Sequence, residues 1–260
     1  MQTAYTRAVS PRLAACALTH IARAPIDLSR AVLQHATYEA ALREAGLSVR
    51  RLPDLPDAPD GVFVEDTAVL LDGHAVITRP GTASRAAETA STAAALAGAF
   101  HVIHLEAGRL DGGDVLRIGR TLYCGLSART DVAGAAALAR AAAPLGFTVT
   151  NVPVTGCLHL KTGVTCLAAP PHGPATLLCN PNWIDSAAFA GQTVLHTAPD
   201  EPFAANTLRI GAMLLTAAGA PAAAALLRAH GFIPVELDIS ELQKAEAGLT
   251  CLSLIGLCPD

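Results

Sequence analysis

Thr67–Leu105 reads TAVLLDGHAVITRPGTASRAAETASTAAALAGAFHVIHL, and this stretch decides the fold. Two apolar runs, AVLL and AVIT, flank Asp72-Gly73, a dipeptide that favours a tight hairpin between strands. An alanine-rich helix is expected over Ser84–Leu96 and a third strand over His101–Leu105. The same order then recurs. DVLRI and TLYCG flank Gly119-Arg120, followed by a helix over Asp131–Leu145 and the strand FTVTNV. A third unit begins at His159, with TGVTCLA, ATLLCN, a short helix near Trp183 and TVLHT. A fourth has NTLRI and AMLLT around Gly211, a helix over Pro221–His230 and IPVEL. A fifth starts at TCLSLI, and its helix and last strand are found at the other end, as Leu28–Ala45 and SVRRL. The expected architecture is α/β: a five-bladed α/β propeller of ββαβ repeats, with the termini together completing one blade and residues 1–260 forming a single domain.

Composition removes several competing classes. Hydrophobic residues make up 52% of the chain and charged residues 15%, which excludes a disordered tail or a solvated coiled coil. A net charge of −4 offers no basic field for nucleic acid or anionic lipid. Charges, Gly or Pro interrupt every apolar run before a spanning length of about 18–20 residues is reached. The first twenty residues hold no uninterrupted apolar block ahead of a cleavage site, so a cytoplasmic protein is expected. All-strand propeller blades fail because each unit contains a helix, and a dinucleotide fold fails because no G-x-G-x-x-G turn occurs. The seven cysteines are odd in number and contain no C-x-x-C, so five or six of them, Cys258 included, are expected to be core filler.

Polar residues recur in phase with the repeat. Asp66, Asp114, His159, Asn206 and Cys251 stand just before the first strand of successive units, at spacings of 48, 45, 47 and 45 residues. Glu65 and Asp111 flank the first two. A closed ring would aim these groups at one central point. Taken singly, His159 could be a satisfied core histidine, Cys251 filler, and Asp111 and Asp114 turn residues. Independent filler has no reason to recur in phase. Arg85 and Arg129 precede helices, where the dipole does not favour a cation, and are candidates for anion binding. Asp57 and Asp60, in a Pro-rich loop, read as surface residues on composition alone.

A cysteine with a histidine and an acid supplies nucleophile, proton carrier and orienter. Additional carboxylates would oppose an oxyanion, but they match the planar fork of a guanidinium. Thiolate attack on a guanidinium carbon is therefore the chemistry these residue types suggest.

The stretches RAVSPRLAACAL, QHATYEAAL, LPDAPDGVFVEDTAVL, ITRPGTASR, LDGGDVL, GLSART, LHLKTG and GLTCLSLI, from Arg7 to Ile255, resemble the dimethylarginine dimethylaminohydrolases of the guanidine-modifying superfamily. The resemblance implies a five-bladed α/β propeller that hydrolyses Nω-methylated arginines to citrulline and dimethylamine or methylamine. It implies Cys251 as nucleophile, His159 as proton donor and later base, and Asp111 as the acid that orients His159. Asp66 and Glu65 would hold the guanidinium, Asp66 the more directly. Asp60 and the carbonyls of Leu18 and Ala245 would host the α-amino group, and Arg85 and Arg129 the α-carboxylate. No cofactor or metal is implied. Zinc captured by Cys251 and His159 would inhibit. The expected partner is the small-molecule substrate, with a monomer or homodimer and neither nucleic acid nor membrane. The sequence departs from the family at Glu246, where relatives carry Asp, and in the loop Thr19–Ile26. Lys161 stands where arginine deiminases carry an acid, so methylated arginine is expected to be preferred to arginine. The alternatives are an arginine deiminase or amidinotransferase of the same superfamily, or a non-catalytic arginine- or metal-binding protein.

Overall fold

A computed structural model describes residues 2–257. Its elements run in chain order as β1 (Gln2–Thr6), α1 (Leu28–Glu44), β2 (Ser48–Arg51), β3 (Ala68–Leu71), β4 (His74–Ile77), α2 (Ala86–Leu96) and β5 (His101–His104). Next come β6 (Val115–Ile118), β7 (Thr121–Leu126), α3 (Val132–Ala142), β8 (Thr148–Pro153), α4 (Leu160–Gly163), β9 (Val164–Ala168), β10 (Thr176–Cys179) and β11 (Thr193–His196). The chain ends with β12 (Leu208–Ile210), β13 (Met213–Ala217), α5 (Pro221–Ala229), β14 (Pro234–Leu237), α6 (Ser240–Gln243) and β15 (Leu254–Leu257).

Five separate three-stranded sheets form the blades. In each, the middle strand pairs antiparallel with the first strand and parallel with the third. The β3–β4 hairpin turns at Asp72-Gly73 with φ of 41° and 82°, the left-handed pair that an Asp-Gly turn accommodates. Helices α3 and α5 bury alanine- and leucine-rich faces against their blades, whereas α1 also buries Gln34, His35, Tyr38 and Glu39 and α2 also buries Glu88 and Thr92. The first strands β3, β6, β9, β12 and β15 line a central channel. No helix among the described residues is long and apolar enough to cross a membrane.

Two details differ from the sequence expectation. The third blade has only a 3-10 turn, Ser186–Phe189, in place of a helix near Trp183, because Ala190, Gly191 and the strand at Thr193 leave no room for more. The closing sheet is ordered β15-β1-β2, so Gln2–Thr6 supplies a middle strand that the sequence pattern does not announce. Its alternation of Thr and apolar residues is masked because four of its five positions are buried.

Candidate active site

A short helical turn precedes each inner strand, and these turns carry the in-phase residues. They are Val64–Thr67 with Asp66, Gly112–Asp114 with Asp114, α4 with His159 as its N-cap, Pro202–Ala205 capped by Asn206, and Thr250–Leu252 with Cys251. Their side chains link blade to blade around the axis. Asp66 accepts from Gly113 N at 3.1 Å, and Asp114 from Leu160 N at 2.8 Å. Asn206 donates to Lys161 O at 2.8 Å and to Thr250 Oγ1 at 3.0 Å, and Thr250 donates to Glu65 at 2.8 Å. That last bond closes the ring. Asp114 and Asn206 thus act as staples. Asp114 also accepts from Ser127 and Thr130 at 2.6 Å each.

Above this ring lies a narrow cavity of about 10 Å³, lined by Asp60, Asp66, Arg85, Arg129, His159, Ala245, Glu246 and Cys251, with Phe63, Leu158, Ala17 and Ala247 as its apolar walls. Seven of the ten residues assigned by sequence therefore meet in one place. His159 Nε2 lies 3.1 Å from Asp111 Oδ2, and Asp111 is wholly buried behind the ring. Asp111 is itself held by the Gly81 N–H at 2.7 Å. The other imidazole nitrogen, Nδ1, has no hydrogen-bond partner and lies 3.7 Å from Asp66 Oδ1. Gly113 permits this approach, since a Cβ there would come within 2.6 Å of Nδ1 and 2.8 Å of Asp66 Oδ1. The second glycine of L-D-G-G-D is thus required by the histidine's packing as well as by the turn.

Burial by itself would lower the imidazole, but Asp66, the Asp111 hydrogen bond and Asp114 outweigh it and hold His159 up at about 9. Burial would raise Asp66, yet His159 and Arg85 hold it down at about 2. Among the described residues, Cys251 Sγ accepts only the Gly248 N–H, at 3.4 Å. Burial, with Glu65 and Asp66 adding, pushes its thiol well above the usual range. At neutral pH the resting pair is therefore a neutral thiol and an imidazolium. Cys16, Cys124, Cys157 and Cys179 are buried and Cys166 half-buried, with burial pushing Cys124 and Cys157 up to about 12; Cys258 lies outside the described residues.

The two arginines differ. Arg85 is spent on protein partners: Asp66 Oδ2 at 2.5 Å, Glu88 at 2.8 Å, and the carbonyls of Phe63 at 2.8 Å and Asp60 at 3.3 Å. Arg129 donates only to the hydroxyls of Thr82 and Thr19, both at 3.1 Å, with Asp111 at 3.7 Å. Asp60 is buried, against the surface reading from composition, whereas Asp57 is exposed. Both Asp60 carboxylate oxygens face the Ala17 N–H, at 3.1 and 3.3 Å, which brings the next residue, Leu18, to the edge of the cavity.

Glu246 is a residue whose use the sequence did not disclose. Its backbone is in the left-handed region, at φ 61°, and its carboxylate accepts from Thr19 N at 2.7 Å and His20 N at 2.9 Å. With Arg129 on Thr19 Oγ1, it straps the loop Thr19–Ile26 over the cavity. The signal available was the pairing of a lone acid with a loop that departs from the family pattern.

Glu65 and Lys161 sit elsewhere than expected. Lys161 Nζ meets Glu65 Oε1 at 2.6 Å, and the pair faces the channel on the opposite side of the ring from the cavity. Glu65 lies in the ring itself, bonded to Lys161 and Thr250, and its charge still acts on Cys251, while Phe63 and Leu158 are among the apolar walls of the cavity. Asp66, Asp111 and His159 bring ligand atoms within 4.8 Å of one another, a grouping to which Cys251 does not belong.

Comparison with known proteins places this geometry. The chain is 41% identical to the N(G),N(G)-dimethylarginine dimethylaminohydrolase of Streptomyces coelicolor, across 96% of this chain and 95% of that protein. The chain belongs to the dimethylarginine dimethylaminohydrolase family. The Pseudomonas aeruginosa dimethylarginine dimethylaminohydrolase is 31% identical over 88% of the chain and 89% of that protein. The crystal structure of a cysteine-to-serine mutant of that enzyme complexed with citrulline superposes with a TM-score of 0.91, covering 98% of both chains at 29% identity. No family model matches the chain. The family's five-sheet α/β propeller is the fold found here, as the repeat arithmetic had led one to expect.

Proposed function

We propose that this protein hydrolyses Nω-methylated arginines to citrulline, releasing dimethylamine or methylamine. The observation that carries the reading is the buried meeting of Cys251, the Asp111–His159 pair, Asp66 and Arg129 around one cavity. In this reading the guanidinium lies between Cys251 and Asp66, its methyl groups against Phe63 and Leu158, two of the apolar walls. The α-carboxylate reaches Arg129, whose hydroxyl partners are easily exchanged, and the α-ammonium reaches Asp60 with the carbonyls of Leu18 and Ala245.

A cationic substrate favours the thiolate, because it offsets the field of Asp66 and Glu65 that raises the thiol. The thiol proton leaves to solvent and the sulfur attacks the guanidinium carbon. His159, already protonated, gives its proton through Nδ1 to the departing amine nitrogen, since Nε2 is engaged by Asp111. The C–N bond breaks and an S-alkylthiouronium remains on Cys251. The neutral Nδ1 then takes a proton from water as its oxygen adds to the same carbon. Collapse expels the sulfur, which takes up the hydroxyl proton of the adduct and returns as the neutral thiol, yielding citrulline, and His159 is again an imidazolium. His159 and Arg85 hold Asp66 down at about 2 in the resting site, so it meets the substrate as a carboxylate, which supports its reading as the guanidinium partner.

The test is to incubate the purified protein separately with asymmetric dimethylarginine and arginine and quantify citrulline. Clear preference for the methylated substrate is expected, and Cys251→Ser should abolish turnover in a folded protein. Equal turnover of arginine would assign the chain to the deiminase branch. A covalent adduct trapped on another cysteine would displace Cys251.

A further inference from the structure

Blades two and four share a tetrapeptide that the catalytic reading leaves unused. Leu116-Arg117-Ile118-Gly119 ends β6, and Leu208-Arg209-Ile210-Gly211 ends β12. In both, the glycine is left-handed, with φ of 57° and 55°. In both, the arginine Nε donates to the carbonyl of that glycine, at 3.1 and 2.7 Å. Both guanidiniums lie over an aromatic ring: Arg117 is 4.7 Å from the centre of Phe147, and Arg209 5.9 Å from that of Phe232. Two blades thus hold an arginine in one pose by the same device, and both line the mouth of one cavity.

That cavity is the channel, about 570 Å³, on the far side of the ring from Cys251. Its charged lining consists of Arg117, Arg209, Lys161 and the single carboxylate of Glu65. Glu65 is already committed to Lys161 and Thr250. Arg117 has Asp72 at 2.9 Å, but the described donors of Arg209 reach only backbone carbonyls, Gly211 O and Leu167 O at 2.7 Å each. In a chain of net charge −4, this concave surface carries an excess of positive charge. A cleft lined by one sign of charge concentrates the opposite ion.

We infer that the channel binds a small polyvalent anion between the Arg117 and Arg209 guanidiniums, with Lys161 at its base. The guanidiniums are spaced around the axis on separate blades, and each keeps an Nη2 that no described hydrogen bond occupies. Arginine forks suit phosphate or carboxylate oxygens.

Inorganic phosphate is the probe, with thermal unfolding followed at an ionic strength held constant by chloride. The wild-type melting temperature should rise saturably with phosphate, as expected for a ligand of the folded state. Arg209→Gln and Arg117→Gln should each weaken the apparent affinity about tenfold, while methylarginine turnover in phosphate-free buffer reports that each variant is folded. Arg129→Gln, on the opposite side of the ring, should leave the phosphate response unchanged, whatever the substrate of the cavity there proves to be. A response no larger than that of chloride would overturn the inference, as would one indifferent to both channel variants. Loss of the response in Arg129→Gln would place the anion in the other cavity and overturn it equally.

Discussion

His159 carries two carboxylates at unequal distance, and its pH dependence follows from them. Its folded pKa is raised, from 6.5 to about 9, so the stability it contributes is complete below pH 6.5 and lost as pH rises through 9. The loss is on the order of 3 kcal/mol. Urea unfolding of the wild type should show this decline between pH 6.5 and 9, and His159→Gln should flatten it. A second expectation concerns the arginines. Because Arg129 hydrogen-bonds two hydroxyls and meets its one paired acid, Asp111, only at 3.7 Å, Arg129→Ala should raise KM for methylarginine roughly ten- to a hundredfold, the equivalent of about 1.5–3 kcal/mol, with kcat and melting temperature little changed. Arg85→Ala leaves Asp66 and Glu88 as buried acids without their cation, so it should lower stability and kcat together. Identical kinetic and thermal profiles for the two variants would contradict the division of labour. Neither contrast was legible in the sequence, where both arginines simply precede helices; the distinction arises from which neighbours the folded chain brings to each.

At the scale of elements, the strap over the cavity depends on one carboxylate. Glu246 satisfies two loop N–H groups and sits at a φ that a glutamate adopts only at some cost, so the surrounding structure must hold it there. Glu246→Ala should free the loop. Trypsin cleavage after Arg23 should accelerate several-fold, and citrulline at saturation should restore part of the protection. Unchanged cleavage would mean the loop is held by its other contacts, such as those of Arg23 to the carbonyls of Ala14 and Cys16. The regular elements themselves were largely readable. Asp72-Gly73 announced the first hairpin, and alanine-rich runs announced α2, α3 and α5 within a few residues. Hidden were the elements lacking a contrast between faces: β1, mostly buried, and the truncated third blade. The Glu65–Lys161 pair was hidden for another reason. Adjacent residues Glu65 and Asp66 on a tight turn point to opposite sides of the ring, and composition cannot say which side is which.

Across the whole molecule, the in-phase arithmetic was correct about convergence but incomplete about purpose. Of the five recurring residues, Asp66, His159 and Cys251 line the cavity, while Asp114 and Asn206 join neighbouring blades. Asn206→Ala removes its hydrogen bonds to Lys161 O in blade three and Thr250 in blade five and leaves the Thr250 N–H without its partner, while the Thr165–Thr207 and Arg209–Leu167 bonds still join blades three and four. It should cost about 1–3 kcal/mol of stability. Turnover should fall with it, because the same asparagine positions the residue before Cys251. Chemical denaturation and steady-state kinetics on the one variant check both; a stable but inactive protein would show that the staple serves the site alone.

The sheet β15-β1-β2 gives the molecule a property that a list of its contacts does not express. Gln2 and Leu257 are partners across an antiparallel ladder, so the two ends of the described chain are neighbours about 5 Å apart. The ring has no first blade; the described residues merely begin and end in this one. A circular permutant that joins these ends through a short Gly/Ser linker and opens between His172 and Gly173, in the exposed loop between β9 and β10, rearranges the order of synthesis without altering one blade-to-blade neighbour. It should fold to the same melting temperature within a few degrees and retain turnover, although the cysteine would then lie mid-chain. A permutant that aggregates or emerges inactive would reveal that the native order of synthesis governs assembly, with blade five closing last around an already formed arc.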